Sequence, residues 1–398
     1  MSTAPPIRRS VAPRLGRSDR SAIGRWFWEI DKVLLVLVAV LIVIGLIAVA
    51  AASPAAGQRY SGGGISVPPL YYFYRQIIWI ALAVPVMIAV SMLTKPSARR
   101  LSIIGAALFL LLLFLVPIIG FERNGAQRWL DAGITQLQPS EFLKPMFIVT
   151  VAWLLSLKEK DRSLPVVPLT ALLTGVIALL LMRQPNLGET VIFVAAWVVL
   201  LMLSGASMRI LYALGAAGTA LLVMAYLFYD VATQRINGFL FAEGDQYQVE
   251  SAFRTLTGGG LFGAGPGAGI RKFSLPEPHT DYIFSVIGEE FGIIACLAIA
   301  ILYMTIVVRV LVRLLNEEDK FLVLATAGLV TQFGLQALIN MAVNVHLLPS
   351  KGMTLPFISY GGSSMIALAL GFGLLLAFSR RNPHLLGRPY VVKWRGFR

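Results

Sequence analysis

The chain has 398 residues, of which 57% are hydrophobic and only 14% charged, with a formal net charge of +14. Soluble domains carry about 25% charged residues, so an ordinary water-soluble fold is excluded and the bilayer is the natural solvent. The positive balance alone would suit nucleic acid, but its distribution along the chain is that of membrane topology and anionic lipid, and no nucleic-acid partner is expected.

Residues 1–32 form a basic tail with Arg8, Arg9, Arg14, Arg17, Arg20, Arg25 and Lys32. It is too long and hydrophilic to open a cleavable signal peptide and should stay with the protein. A membrane span needs about 20 apolar residues at a rise of ~1.5 Å each. Runs of that kind follow at 33–52, 76–93, 101–120, 142–157 (interrupted by Lys144), 164–182, 190–208, 210–229, 283–308, 321–345 and 355–379. The expected fold is therefore an all-α polytopic membrane domain over 33–379 of about ten transmembrane helices, closed by a second basic tail at 380–398.

Basic connections alternate along this chain. After the N-terminal tail come Lys95, Arg99 and Arg100; Lys158, Lys160 and Arg162; Arg209; Arg309, Arg313 and Lys320; and Arg380, Arg381, Arg388, Lys393, Arg395 and Arg398. Cytoplasmic loops carry the Lys and Arg excess, so both termini are expected in the cytoplasm. The opposite side keeps Arg123, Arg128, Arg183, Arg235, Arg254, Arg271, Lys272 and Lys351, with Lys144 just below the surface. Orientation does not call for these, and an outward site for an anionic substrate is one reading; tolerance of charge by translocated loops is the other. The longest outward connection, 230–281, holds the Gly258, Gly259, Gly260 run, then Gly263, Gly265, Gly267 and Gly269, with Tyr247, Phe253, Phe262 and Phe273 among them. Gly and Pro at this density break regular structure, and a connection this long with aromatic residues is expected to be functional rather than disordered.

Three outward segments carry the polar groups. The first runs from Asn124-Gly-Ala-Gln-Arg-Trp129 through Gln138-Pro-Ser-Glu141 to Lys144; the second is Leu275-Pro-Glu-Pro-His-Thr-Asp281 with Gly288-Glu-Glu290; the third is Leu348-Pro-Ser-Lys-Gly352 with Leu355-Pro-Phe-Ile-Ser-Tyr-Gly-Gly-Ser-Ser364. A charge at the depth of Lys144 costs several kcal/mol unless paired or wet, and Glu141, three residues earlier on the same helical face, is the expected partner. Of the adjacent Glu289 and Glu290, one is expected to face the bundle interior. Asp281 stands where the long connection meets a helix: it is either an N-cap, or a general base on a hydroxyl or a holder of a cation, with Glu277, His279 and basic residues close in sequence. Other chemistries fit worse. No phosphate-cradling glycine loop precedes a helix with Lys-Ser/Thr. His279, His346 and His384 share no spacing for a metal site, and the single Cys296 allows no disulfide and no thiol cluster.

Along almost the whole length from first span to last, these segments resemble the SEDS family of shape, elongation, division and sporulation proteins. Gln138-Pro-Ser-Glu141 with Lys144, Pro276-Glu-Pro-His-Thr-Asp-Tyr-Ile-Phe284 with Gly288-Glu-Glu290, and Pro349-Ser-Lys-Gly-Met-Thr-Leu-Pro-Phe-Ile-Ser-Tyr-Gly-Gly-Ser-Ser364 carry the likeness. The Lys-Gly-x-Thr-Leu-Pro form of the last motif is similar to that of the cell-division members. The resemblance implies a ten-span SEDS fold and an inverting glycosyltransferase that polymerises lipid II into peptidoglycan on the outer side of the bacterial inner membrane. It also implies a location at the septum and a partnership with a class B penicillin-binding transpeptidase of the FtsI type and other divisome membrane proteins. The catalytic aspartate of the family falls on Asp281, the intramembrane pair on Glu141 and Lys144, and the Arg-Trp of the first outward loop on Arg128 and Trp129. Gln138, Ser140, Glu277, His279 and Ser359 belong to the same motifs, while Arg128, Arg254 and Lys351 are the cations that would receive a pyrophosphate. No cofactor is required by the sequence, and a divalent cation, Mg or Mn, is left open. Two departures stand out: many members have Gln-Pro-Asp where this chain has Gln184-Pro-Asn186, and an acidic residue is common where Ser274 stands here. A transporter that flips the lipid-linked precursor and a non-catalytic divisome scaffold are the competing readings; the first should show a charged path towards the cytoplasm, which the inner halves of the spans lack.

Overall fold

The computed structural model describes residues 22–61, 66–123, 126–131, 133, 136–159, 161–228, 233, 237, 247–349 and 352–380. Each expected span coincides with a helix. In chain order these are α2 (Lys32–Tyr60), α3 (Tyr71–Ser91), α4 (Lys95–Ile119), α5 (Pro139–Leu157), α6 (Val166–Arg183), α7 (Leu187–Leu203), α8 (Met208–Phe228), α10 (Ile283–Leu314), α11 (Lys320–Asn344) and α12 (Gly362–Ser379). Eight of them are long and apolar enough to cross a bilayer by length and composition; α7, at 17 residues, is a shorter apolar helix, and α8 has 21 residues. The chain is a multi-pass membrane protein. Its tails at 1–21 and 381–398, with most of 229–246, lie outside the described residues.

Helix α5 and helix α11 bury most of their length and form the centre, whereas the other spans bury about a third to a half of theirs. The lipid-facing stripes are apolar, as in α2, where Val33, Val36, Val40, Val43 and Ile47 are exposed. Without a hydrophobic drive between helices, association rests on close packing of small residues. Gly371 of α12 lies against Pro145 of α5, where an added Cβ would be 3.1 Å from the proline ring, and a Cβ at Gly373 would meet the Met87 carbonyl of α3 at 2.8 Å.

Three features depart from the sequence expectation. A short helix, α1 (Ala22–Glu29), lies within the N-terminal tail, pinned by Trp26 Nε1 donating to Ser91 Oγ (2.8 Å). Asp31 then caps α2, accepting from the Val33 and Leu34 amides, and takes bidentate hydrogen bonds from Arg309 (2.9 Å each) and an ion pair from Arg313 (2.6 Å). Between α4 and α5 the all-α expectation gives way to a small antiparallel sheet of β1 (Phe121–Arg123), β2 (Ala126–Asp131) and β3 (Gln136–Leu137). Arg123 pairs with Ala126 where β1 meets β2. The last helix begins at Gly362 rather than 355, because Pro356 and the left-handed Phe357 (φ 61°) hold 352–361 as an irregular, largely buried segment.

The long connection is ordered where described. It contains the amphipathic α9 (Tyr247–Gly258), which buries Val249, Ala252, Thr255 and Leu256, and a 3-10 turn at Arg271–Ser274. Its glycines are explained by α10. That helix is broken at Gly292 (φ 81°, ψ 173°), and the connection is spliced into the break. Ile293 N donates to Gly260 O (3.0 Å) in place of Glu289 O, while Glu289 O and Glu290 O accept from Ala264 N (2.8 Å) and Gly265 N (3.0 Å). Backbone approaches of this kind exclude a side chain at Gly259, Gly263 and Gly292, where a Cβ would overlap main-chain atoms. Both glutamates hold the connection. Glu289 accepts from the Ile270, Arg271 and Lys272 amides (2.9, 2.6 and 2.9 Å), and Glu290 accepts from Gly267 N (2.9 Å) and pairs with Lys272 Nζ. The expectation that only one of the two turns inward is corrected: both are buried, because the connection wraps the helix and meets both faces.

Candidate active site

The three polar segments converge at one end of the bundle. The second is held at its backbone from two directions. From α11, Asn340 and Asn344 donate to the Asp281 carbonyl (2.9 and 3.1 Å), and Asn344 Oδ1 accepts from the amide and hydroxyl of Ser285 (3.1 and 2.6 Å). From the third segment, Ser359 Oγ donates to Thr280 O (2.6 Å), accepting in turn from Leu355 N, and Tyr360 N donates to His279 O (2.8 Å). Gly352 lies beside the Asp281 carboxylate, with room for a Cβ at 3.5 Å from Oδ2.

Asp281 does not cap α10: the cap residue is Tyr282, and no side chain closes that helix start. Its half-buried carboxyl is pushed up to about 7, first by burial and then by the charge of Glu277, against the opposing pull of Arg128. An acid that is half ionised near neutrality suits proton transfer. Glu277 is itself fixed, accepting from Tyr60 OH (2.7 Å) and Thr280 Oγ1 (3.1 Å). His279 is buried among Tyr72, Tyr360 and Tyr60, with ring centroids at 4.1, 5.3 and 6.1 Å, and thus packs the wall of the site.

The first segment arrives through β2. Arg128 reaches the turn between α6 and α7, donating from Nε to Gln184 O (3.0 Å) and from Nη2 to Pro185 O (2.5 Å), and its charge falls on Asp281. Trp129 is half-buried next to it. Deeper in the bundle the expected pair is present, with Lys144 Nζ 2.9 Å from Glu141. A third member was missed: Glu189 of α7 stands 3.5 Å from the same ammonium and accepts from Gln138 Nε2 (3.2 Å), which also donates to the buried Ser140. Asn186 caps α7 by accepting from Glu189 N (3.5 Å), a role in which Asn and Asp are equivalent. The amide at 186 therefore costs the helix nothing, and a carboxylate lies one turn further on.

Of the other candidate cations, one lies apart from this geometry. Arg254 is on the exposed side of α9, paired with Glu250 (2.5 Å), and Lys351 is outside the described residues. Lys272 is buried in its pair with Glu290 and donates to Ala51 O (2.9 Å), so it fastens the connection to α2. For a divalent cation the nearest donor set is Asp281 with Glu277; among the described residues no group of three or more His, Cys, Asp or Glu side chains is gathered as a metal site.

The arrangement sets the Asp281 carboxyl in the field of an arginine where the three polar segments meet. Known proteins of similar sequence and fold show the family of the chain. The model of the FtsW, RodA and SpoVE cell cycle proteins matches residues 31–384. The chain belongs to that family. Among its FtsW/RodA/SpoVE relatives, a probable peptidoglycan glycosyltransferase FtsW of Caulobacter vibrioides is 39% identical over 379 residues, covering 93% of this chain and 94% of that one. A protein of the same description from Nitrosomonas europaea is 33% identical, covering 89% and 94%. In structure, the chain matches one from a peptidoglycan synthase complex that coordinates polymerization and crosslinking (TM-score 0.71, 25% identity, 88% and 97% covered). It also matches the rod shape determining protein RodA of Thermus thermophilus (TM-score 0.65, 27% identity, 88% and 96% covered).

Proposed function

We propose that the chain is a peptidoglycan glycosyltransferase that polymerises lipid II at the division septum, with Asp281 as general base. The observation that carries this reading is the ionisable, non-capping carboxyl of Asp281 where the three motif segments meet, with Arg128 in its field. The 4-hydroxyl of an acceptor sugar attacks the anomeric carbon of a lipid-linked donor. The hydroxyl proton passes to Asp281, the glycosidic bond forms with inversion, and the bond to the lipid pyrophosphate breaks, leaving that group as an anion. A base at the hydroxyl and positive charge at the leaving group are what such a transfer requires. The charge of Arg128 at Asp281 supports it in the second role, with Lys351, next to Gly352 in the sequence, as a further cation. Mg or Mn bound by the pyrophosphate would have Glu277 as its nearby carboxylate, Asp281 serving as the base, and would supply further charge neutralisation there.

The end of the bundle that carries the long connection faces outward, both tails lie in the cytoplasm, and the protein resides in the bacterial inner membrane. Its partner is a class B penicillin-binding transpeptidase of the FtsI type, which crosslinks the strands that this chain makes; the synthase complex with a similar chain supports that pairing. The test is incubation of the purified chain, alone and with its transpeptidase, with labelled lipid II in detergent micelles. Micelles have no second leaflet, so a transporter leaves lipid II unchanged, whereas a polymerase yields a ladder of glycan strands on a gel.

A further inference from the structure

The group around Lys144 contains two carboxyls and one ammonium, all nearly removed from solvent: the side chains of Lys144, Glu141 and Glu189 are 3%, 11% and 5% exposed. Lys144 satisfies Glu141 at 2.9 Å and reaches Glu189 only at 3.5 Å. Glu189 Oε1 also accepts from Gln138, but its Oε2 is buried and accepts no hydrogen bond. Ser140 and Glu141 of α5 face Glu189, and Gln332 of α11 shares a small cavity with Glu141. The apolar runs of α4, α6, α11 and α12 that pass this depth (101–119, 166–182, 321–344 and 362–379) contain no acidic or basic residue. Among the described residues, Lys144 is the one cation whose charge acts on Glu189, and an ionised carboxylate with a bare oxygen in such surroundings is strongly disfavoured.

We propose that Glu189 carries a proton, so that Glu189, Glu141 and Lys144 form one neutral group holding two carboxyls, one ammonium and one proton. Glu141 is the ionised partner of Lys144. Glu189 is the neutral acid, its Oε1 accepting from Gln138 and its Oε2 protonated. As a positioning residue it keeps Gln138 and Lys144 in register between α5 and α7. Neutrality also removes a repulsive charge from beneath the site at which, on the function proposed above, an anionic donor must settle. When Glu141 is made neutral, Glu189 is the only acid left to serve Lys144, and it gives up its proton to do so.

The experiment is infrared spectroscopy of the full chain in lipid nanodiscs, with thermal unfolding of the same samples; neither readout depends on polymerisation, so it stands apart from the proposed function. The parent should show a protonated-carboxyl carbonyl band, shifted in D2O, that Glu189→Gln removes. Glu189→Gln, the isostere of the neutral acid, should keep the parental melting temperature. Glu141→Gln should also lose the band, because Glu189 ionises. The double variant, which strips Lys144 of both acids, should unfold at a temperature lower than the two single shifts add up to. Absence of a band difference between parent and Glu189→Gln, failure of Glu189→Gln to fold, or strictly additive shifts would each overturn the proposal.

Discussion

Replacing Asp281 by Asn separates its chemistry from its place in the fold. The side chain caps no helix, and its backbone is held through its own carbonyl by Asn340 and Asn344, contacts that the substitution leaves untouched. Burial raises the carboxyl to about 7 from an ordinary Asp value of about 3.9. In the folded state it therefore binds its proton more tightly than in the unfolded state, and this contribution to stability declines as pH rises from about 4 to about 7 and stays low above that. Asn removes the burden of ionising a buried group, so Asp281→Asn should melt at or above the parental temperature at pH 8. Its rate should collapse: the amide has no basic site for the acceptor proton, and loss of a general base costs a factor of roughly a hundred or more, equivalent to about 2.7 kcal/mol of barrier. Initial rates of lipid II polymerisation and thermal unfolding on the same preparations provide the assay. A variant polymerising at close to the parental rate, or one that loses activity only because it melts early, refutes the reasoning.

Asp31→Asn keeps the cap on α2, for which Asn serves as well, but uncouples α2 from Arg309 and Arg313 of α10. With Asp31 buried and both arginines partly exposed, the loss lies between that of a surface pair and that of a fully buried one, about 2 kcal/mol, read as a lowered melting temperature with an unchanged spectrum of the folded state. Gly259→Ala places a methyl group against the Gly288 and Glu289 carbonyls and should prise the connection from the break in α10, costing about 1–3 kcal/mol. Limited proteolysis should then cut within 259–270 far faster than in the parent; equal rates would mean that the splice carries no stability.

The spans were legible because an apolar run of membrane length has few alternatives, and each expected run became a helix. Helix ends were less so: Pro356 and Phe357 turn what reads as the start of the last span into an irregular segment packed under Asp281, and hydropathy does not see backbone geometry. Glu141 and Lys144 could be paired from i, i+3 spacing, but Glu189, 45 residues beyond Lys144, is joined to them only by the packing of α5 on α7. Some of what was missed did leave a signal. Gln332, Gln336, Asn340 and Asn344 recur every four residues in a largely apolar run, placing four amides on one face of α11; Asn340 and Asn344 hold Asp281, and Gln336 donates to Thr354 O (3.1 Å). The glycines of the long connection read only as breakers of regular structure, whereas the fold uses them for close backbone contact with α10, a partner that sequence order does not reveal.

The account rests on Asp281 acting as a base whose affinity for its proton is set by burial, and the pH dependence of the polymerisation rate tests this most directly. In the proposed role of base the ionised form is the active one, so the initial rate of lipid II polymerisation by the purified chain should rise through an apparent pKa of about 7 and level off above about pH 8, with this limb lost in the residual activity of Asp281→Asn. A rate that is flat down to about pH 5, as an ordinary surface carboxylate would give, or a limb near 7 that survives in Asp281→Asn, would contradict it.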